Sequence, residues 1–240
     1  MPTGQPDWWG ATPRNEIASV GDMGELAVRL GGISVFTRSG NVIYYHSFDR
    51  GRAGWTDGNF GLATELLRDT YGIFGKLCYG ITTDGDTSHN PFIWKSIFAR
   101  TYGKTGNEWG FCMGVNSSYV EIVHEYIKDS YVYHAAVKWD IKNKTLYCYT
   151  PSGYVSFAAN IMLAVDFTAS HFAKMVCDLD NGYYDTFLLD NYAWDISDKA
   201  IYKTTSTGNY YNKFQFTYWS DPGITETIYF HYFIFTQDEP

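Results

Sequence analysis

The chain has 240 residues and carries 18 Lys+Arg against 26 Asp+Glu, a formal net charge of −8. Binding to nucleic-acid phosphates needs clustered basic side chains that displace counterions, so this balance argues against nucleic acid as a partner. No apolar run reaches the roughly 20 residues of a spanning helix, and residues 1–16 hold neither a basic n-region nor an apolar h-region; membrane insertion and signal-dependent export are therefore not expected.

Tyr (21), Phe (16), Trp (8) and Gly (23) are abundant, and long periodic Ala/Leu/Glu/Lys runs are absent. That balance favours strands and tight turns, and the length suits one all-β domain. Cys78, Cys112, Cys148 and Cys177 show no CxxC spacing, so a zinc or redox motif has no support. Their pairing stays open, with buried reduced thiols as the plain expectation.

Residues 1–36 read as an arm and residues 37–240 as the sandwich domain. Pro2, Pro6 and Pro13 surround Trp8-Trp9, so the arm is extended and carries two large rings that need a surface to pack on. Asp22 stands three residues before Glu25, and Met23, Leu26 and Leu30 follow at helical spacing up to Gly31-Gly32, which predicts one short helix. Residues 33–36 and 42–48 predict a first hairpin, whereas residues 58–69 fit either a helix or a strand. Residues 82–88 read as a polar turn. Strands are predicted over 92–100 and 109–115, with a Gly-rich turn over 102–107 between them.

Residues 171–196 carry the strongest hairpin signal, two alternating runs around Asp180-Asn181-Gly182. Ala173, Met175, Cys177 and Leu179 fall on one face, the predicted core face. Asp140, Asn143 and Tyr154 precede Asp178, Asn181 and Tyr192 at one constant offset, so two similar hairpins are expected in one sheet system, the later one central.

Phe48-Asp49-Arg50-Gly51 with Trp55 resembles the F-(E/D)-x-G…W opening of concanavalin A-like, laminin-G-like and carbohydrate-binding sandwich modules. Lys174, Val176, Asp178, Leu179, Gly182 and Tyr184 resemble their K-x-V-x-D-L-x-x-G-x-Y hairpin, and residues 228–240 resemble their closing strand. The resemblance implies a two-sheet antiparallel jelly roll. In many carbohydrate-binding members it also implies a structural Ca²⁺ between the opening acid, here Asp49, and an acidic pair in the closing strand. His231-Tyr232 occupies that place, so the cation loses its main anionic ligand and no cofactor is expected.

Glu121, Val123 and Glu125 alternate onto one strand face, which makes the two carboxylates the candidate catalytic pair. Glycosidases of this sandwich use a similar E-x-D-x-E strand, with an acid where Val123 stands. Trp94, Trp109 and Trp139 are candidates for stacking on sugar rings. Asn116 and Asn143 head glycosylation sequons. The six histidines show no metal or triad spacing. An extracellular-looking sandwich without an export signal, preceded by a Trp/Pro arm, favours a non-catalytic structural protein of a virion or other self-assembling particle. Its arm, through Trp8 and Trp9, would join copies into a homo-oligomer. A lectin-like module binding glycans is the second expectation, and a glycoside hydrolase the third.

Overall fold

The computed structural model describes residues 40–48, 51–52, 54–58, 66–68, 78–86, 91–98, 101–167, 169–208 and 211–240. Their strands form two sheets. One runs β13 (Tyr192–Asp195), β12 (Tyr183–Leu189), β11 (His171–Asp178), β6 (Lys104–Met113), β16 (Thr227–Gln237), β4 (Cys78–Thr82) and β3 (Leu66–Arg68), with β1 (Asn41–His46) also paired to β16. The other runs β10 (Gly153–Ala159), β9 (Thr145–Thr150), β8 (Tyr131–Asp140), β7 (Ser117–Lys128), β15 (Asn212–Ser220), β5 (Phe92–Ile97) and β2 (Thr56–Gly58), with β14 (Tyr202–Thr205) on β8. Every pairing among these strands is antiparallel.

Period-two alternation decides what each sheet buries. On β7, Val120, Ile122 and Tyr126 join the core, while Glu121 and Glu125 fall on the opposite face. On β6, Trp109, Phe111 and Met113 point inward. Trp109 is fully buried, with its ring centroid 4.6 Å from Phe233, 5.3 Å from Trp55 and 5.3 Å from Phe216. Tilted and edge-to-face pairs of this kind add about 0.5–1.5 kcal/mol each beyond area burial. Phe48 and Trp55 of the opening motif meet at 5.3 Å, and Phe230, Phe233 and Phe235 of the closing strand lie against them and Phe214. The two ends of the domain are therefore sewn together by aromatic packing.

Both predicted hairpins form, each with the same cap. Asp178 accepts from the backbone N–H of Asn181 at 3.0 Å and from its amide at 2.7 Å; Asp140 accepts from Asn143 at 2.9 and 2.8 Å. They do not share a sheet. The β8–β9 hairpin belongs to the β7 sheet and the β11–β12 hairpin to the β6 sheet. Local turn chemistry encodes a hairpin but not the layer it joins, and the later hairpin sits next to the sheet edge rather than at its centre.

The Gly-rich turn predicted over 102–107 is mostly strand. β6 begins at Lys104, and Gly106 stays in the ladder because a Cβ there would lie 2.7 Å from Lys174 Cε and from Thr236 Oγ1. Glycine marks a close approach of side chains here. The open segment 58–69 yields strand at its described ends, in β2 and β3. The predicted helix and residues 33–36 lie outside the described residues. Among the described residues, no helix is long and apolar enough to cross a membrane.

Candidate functional site

The outer face of the β7 sheet gathers the polar and aromatic side chains that the core excludes. Cross-strand register sets its rows. Glu121 pairs with Lys138 on β8 and Thr217 on β15, and Lys138 pairs with Tyr147 on β9. Val123 pairs with Ala136 and Gln215, and Gln215 pairs with Trp94 on β5. Glu125 pairs with His134 and Lys213, and His134 with Tyr202 on β14. The two carboxylates thus flank a floor of Val123 and Ala136, both buried. Four residues along a strand place their Cα atoms about 13 Å apart.

Their surroundings treat the two acids oppositely. Glu125 accepts from His134 Nδ1 at 2.9 Å and from Lys213 Nζ at 3.1 Å. A carboxylate offers only acceptors, so the imidazole nitrogen is the donor. The His134 hydrogen bond first, then the Lys213 charge and hydrogen bond, outweigh burial and hold the Glu125 pKa down at about 2. Glu121 instead is pushed up, because its burial outweighs the hydrogen bond from Tyr154 and the charges of His134 and Lys138. The Tyr154 hydroxyl donates to Glu121 Oε1. That phenol is itself raised by burial and by the Glu121 charge, so it stays protonated and remains a donor.

Aromatic rings border this pair. Tyr149 lies 5.0 Å from Tyr154, 5.2 Å from Tyr202 and 5.5 Å from the His134 ring. Trp94 is half-buried on the same face, with Lys213 Nζ 5.7 Å from its ring. The Lys138 ammonium stands 4.3 Å from the Tyr154 ring, 5.3 Å from Tyr147 and 5.5 Å from Tyr119.

Of the residues singled out from sequence, Glu121, Glu125 and Trp94 come together here. Trp109 and Trp139 do not: at 0% and 3% exposure they are core side chains with no ring face for a ligand. Alternation around Glu108 and Lys138 turns both inward, and tryptophan composition alone does not distinguish the two faces. Trp194 stacks between Phe187 and Tyr192, away from this pair. Trp8, Trp9 and Asp49 lie outside the described residues. His231, in the closing strand, is buried and meets Ser170 Oγ at 3.2 Å. Among the described residues, no group of three or more His, Cys, Asp or Glu is arranged to hold a metal. All four cysteines are buried. Asn116 donates its amide to Glu226 at 3.0 Å, and Asn143 is exposed at its hairpin tip.

Lys138, Lys213, His134, Tyr154, Tyr147 and Tyr149 escaped the sequence reading, although a signal was present. Each alternates with core residues along its strand, and the strand order β10-β9-β8-β7-β15 brings them onto one face with the two acids.

No model of a protein family matches the sequence, and no curated protein matches it. Solved structures do match in fold. An endo-β-1,4-glucuronan lyase from the fungus Trichoderma reesei superposes with a TM-score of 0.57 at 10% identity, over 82% of this chain and 96% of that one. A cellulose-induced protein, Cip1, gives 0.53 at 10% identity, over 80% and 96%. A glycosidic hydrolase gives 0.50 at 12% identity, over 85% and 99%. The chain is a concanavalin A-like jelly-roll sandwich. The expectation of a non-catalytic protein is corrected by the same finding. This jelly roll matches enzymes, a lyase and a hydrolase, over nearly their whole length, so the fold gives no ground for setting catalysis aside.

Proposed function

We propose that this concanavalin A-like chain cleaves glycosidic bonds of a polysaccharide bound on the outer face of the β7 sheet. The observation that carries the reading is the opposed pair Glu121 and Glu125: one strand face holds one carboxyl that burial favours in its protonated form and one that His134 and Lys213 keep ionised. Carboxyls whose environments push their proton affinities apart are the arrangement acid–base cleavage of glycosides requires.

In this reading Glu121, in its protonated form, gives its proton to the glycosidic oxygen as the C–O bond breaks, and the sugar fragment leaves as an alcohol. Glu125, already anionic, stabilises the positive charge that develops on the ring or takes a proton from the attacking water. Tyr154 positions the Glu121 carboxyl through its hydrogen bond. Trp94 and the tyrosines supply ring faces for the sugars on either side. The names of the similar folds, a glucuronan lyase and a glycosidic hydrolase, agree with glycans as the substrate class.

The test is release of new reducing ends from a panel of neutral and acidic polysaccharides by the purified full chain. Cleavage of at least one polymer, lost in E121Q, is expected. Absence of cleavage across the panel, or cleavage that E121Q and E125Q both retain, overturns the proposal.

A further inference from the structure

Lys138 is the outer-face lysine that makes no ion pair with either acid, although its charge is felt by Glu121. Lys213 is ion-paired with Glu125 at 3.1 Å, and His134 donates to the same carboxylate. Lys138 lies directly across from Glu121, yet Glu121 takes its hydrogen bond from Tyr154. Among the described residues Lys138 has no ion pair. Its ammonium rests instead against three tyrosine rings, Tyr154 at 4.3 Å, Tyr147 at 5.3 Å and Tyr119 at 5.5 Å, and the side chain is only half-buried. Ring faces attract a cation without using up its N–H donors in ionic hydrogen bonds, so they fix its position and leave its charge available.

We propose that Lys138 recognises an anionic group on the sugar, which makes the substrate an acidic polysaccharide carrying carboxylate or sulfate groups. This rests on the reading of the outer face as a glycan-cleaving site and adds its substrate class. Glu125 is paired with Lys213, and among the described residues no carboxylate comes within ion-pair distance of the Lys138 ammonium, so its N–H donors are open to an anion. An anion on a sugar bound beside Glu121 would pair with the ammonium, while the sugar ring packs against the tyrosines that hold it. The chain's overall charge of −8 does not oppose this. Charges further than a Debye length, about 8 Å at physiological salt, are largely screened, whereas an ammonium in direct contact is not.

Affinities of the full chain carrying E121Q, which prevents turnover, are measured for three probes: an oligoglucuronate, a sulfated glucan oligomer and a neutral cello-oligosaccharide. An acidic probe is expected to bind about tenfold to hundredfold more tightly than the neutral one, the range set by a hydrogen bond between charged groups. K138M in the same background abolishes that preference and K138R keeps it, at an unchanged melting temperature. The two acidic probes separate carboxylate from sulfate recognition, and either preference supports the inference. Equal affinity for neutral and acidic probes, or a preference that survives K138M, overturns it. If a neutral glucan is cleaved by the wild type and spared by E121Q while K138M is silent, the acidic-substrate inference fails and the cleavage proposal stands.

Discussion

Glu125 is held from two different strands, by a hydrogen bond from His134 of β8 at 2.9 Å and an ion pair with Lys213 of β15 at 3.1 Å. His134 and Lys213 are each a direct cross-strand partner of Glu125, so register alone assembles the cluster. Because the folded pKa of Glu125, about 2, lies below its unfolded value, its contribution to stability is present above pH ~4.5 and is lost as pH falls towards 2. E125Q removes that term. The wild type minus E125Q difference in unfolding free energy, followed by denaturant titration, is expected to shrink steadily across that window. A difference that stays constant with pH contradicts the pairing.

In the proposed mechanism Tyr154 sets the working range of Glu121. A general acid acts only while protonated, so the rate falls as pH rises through the Glu121 pKa. The Tyr154 hydrogen bond pulls that pKa down against burial. Y154F is therefore expected to shift the alkaline limb of the pH–rate profile to higher pH, besides slowing turnover through poorer positioning. An alkaline limb that stays in place, or moves to lower pH, shows that Tyr154 does not act on Glu121.

Two tryptophans that look alike in sequence should separate in experiment. W109A empties the centre of the aromatic core and is expected to cost about 3–5 kcal/mol of stability. W94A, on the outer face, is expected to cost much less and to weaken polysaccharide binding. Thermal melts and binding isotherms on both variants check the assignment, which fails if W94A is the more destabilised or binds polysaccharide as the wild type does.

His124 and His231 are buried, and burial lowers both pKa values to about 4. His124 Nε2 meets Asn212 Oδ1 at 2.9 Å, and His231 also feels the nearby His171. The unfolded chain takes up their protons near pH 6.5 while the folded chain resists until about 4, so stability is expected to fall as pH drops through that interval. Urea unfolding at pH 7.5, 6 and 5 reads this directly. A flat profile over these points contradicts neutral burial of the two rings.

The sequence carried the architecture well because its signals are local or periodic. The alternation of Ala173, Met175, Cys177 and Leu179 identified a core face, and Asp178 with Asn181 fixed a turn. Phe48, Trp55 and the aromatic closing strand marked the two ends that pack together. It carried the site only partly. Glu121 and Glu125 stand on one strand and were visible as a pair, but His134 and Lys138 reach them through the register of the adjoining β8, and Tyr154 and Lys213 through strands further along the chain. The same limit hid the assignment of the two hairpins to different sheets, and the inward turn of Trp109 and Trp139.

The ratio of turnover rates of E121Q and wild type, on a polysaccharide the wild type cleaves, reads whether Glu121 is the proton donor of a glycan-cleaving face. The measurement is made below the alkaline limb and with binding measured alongside. General acid catalysis predicts a drop of about 10²–10⁴-fold in turnover with affinity retained. A drop smaller than about tenfold, or a loss explained entirely by weaker binding, would contradict it.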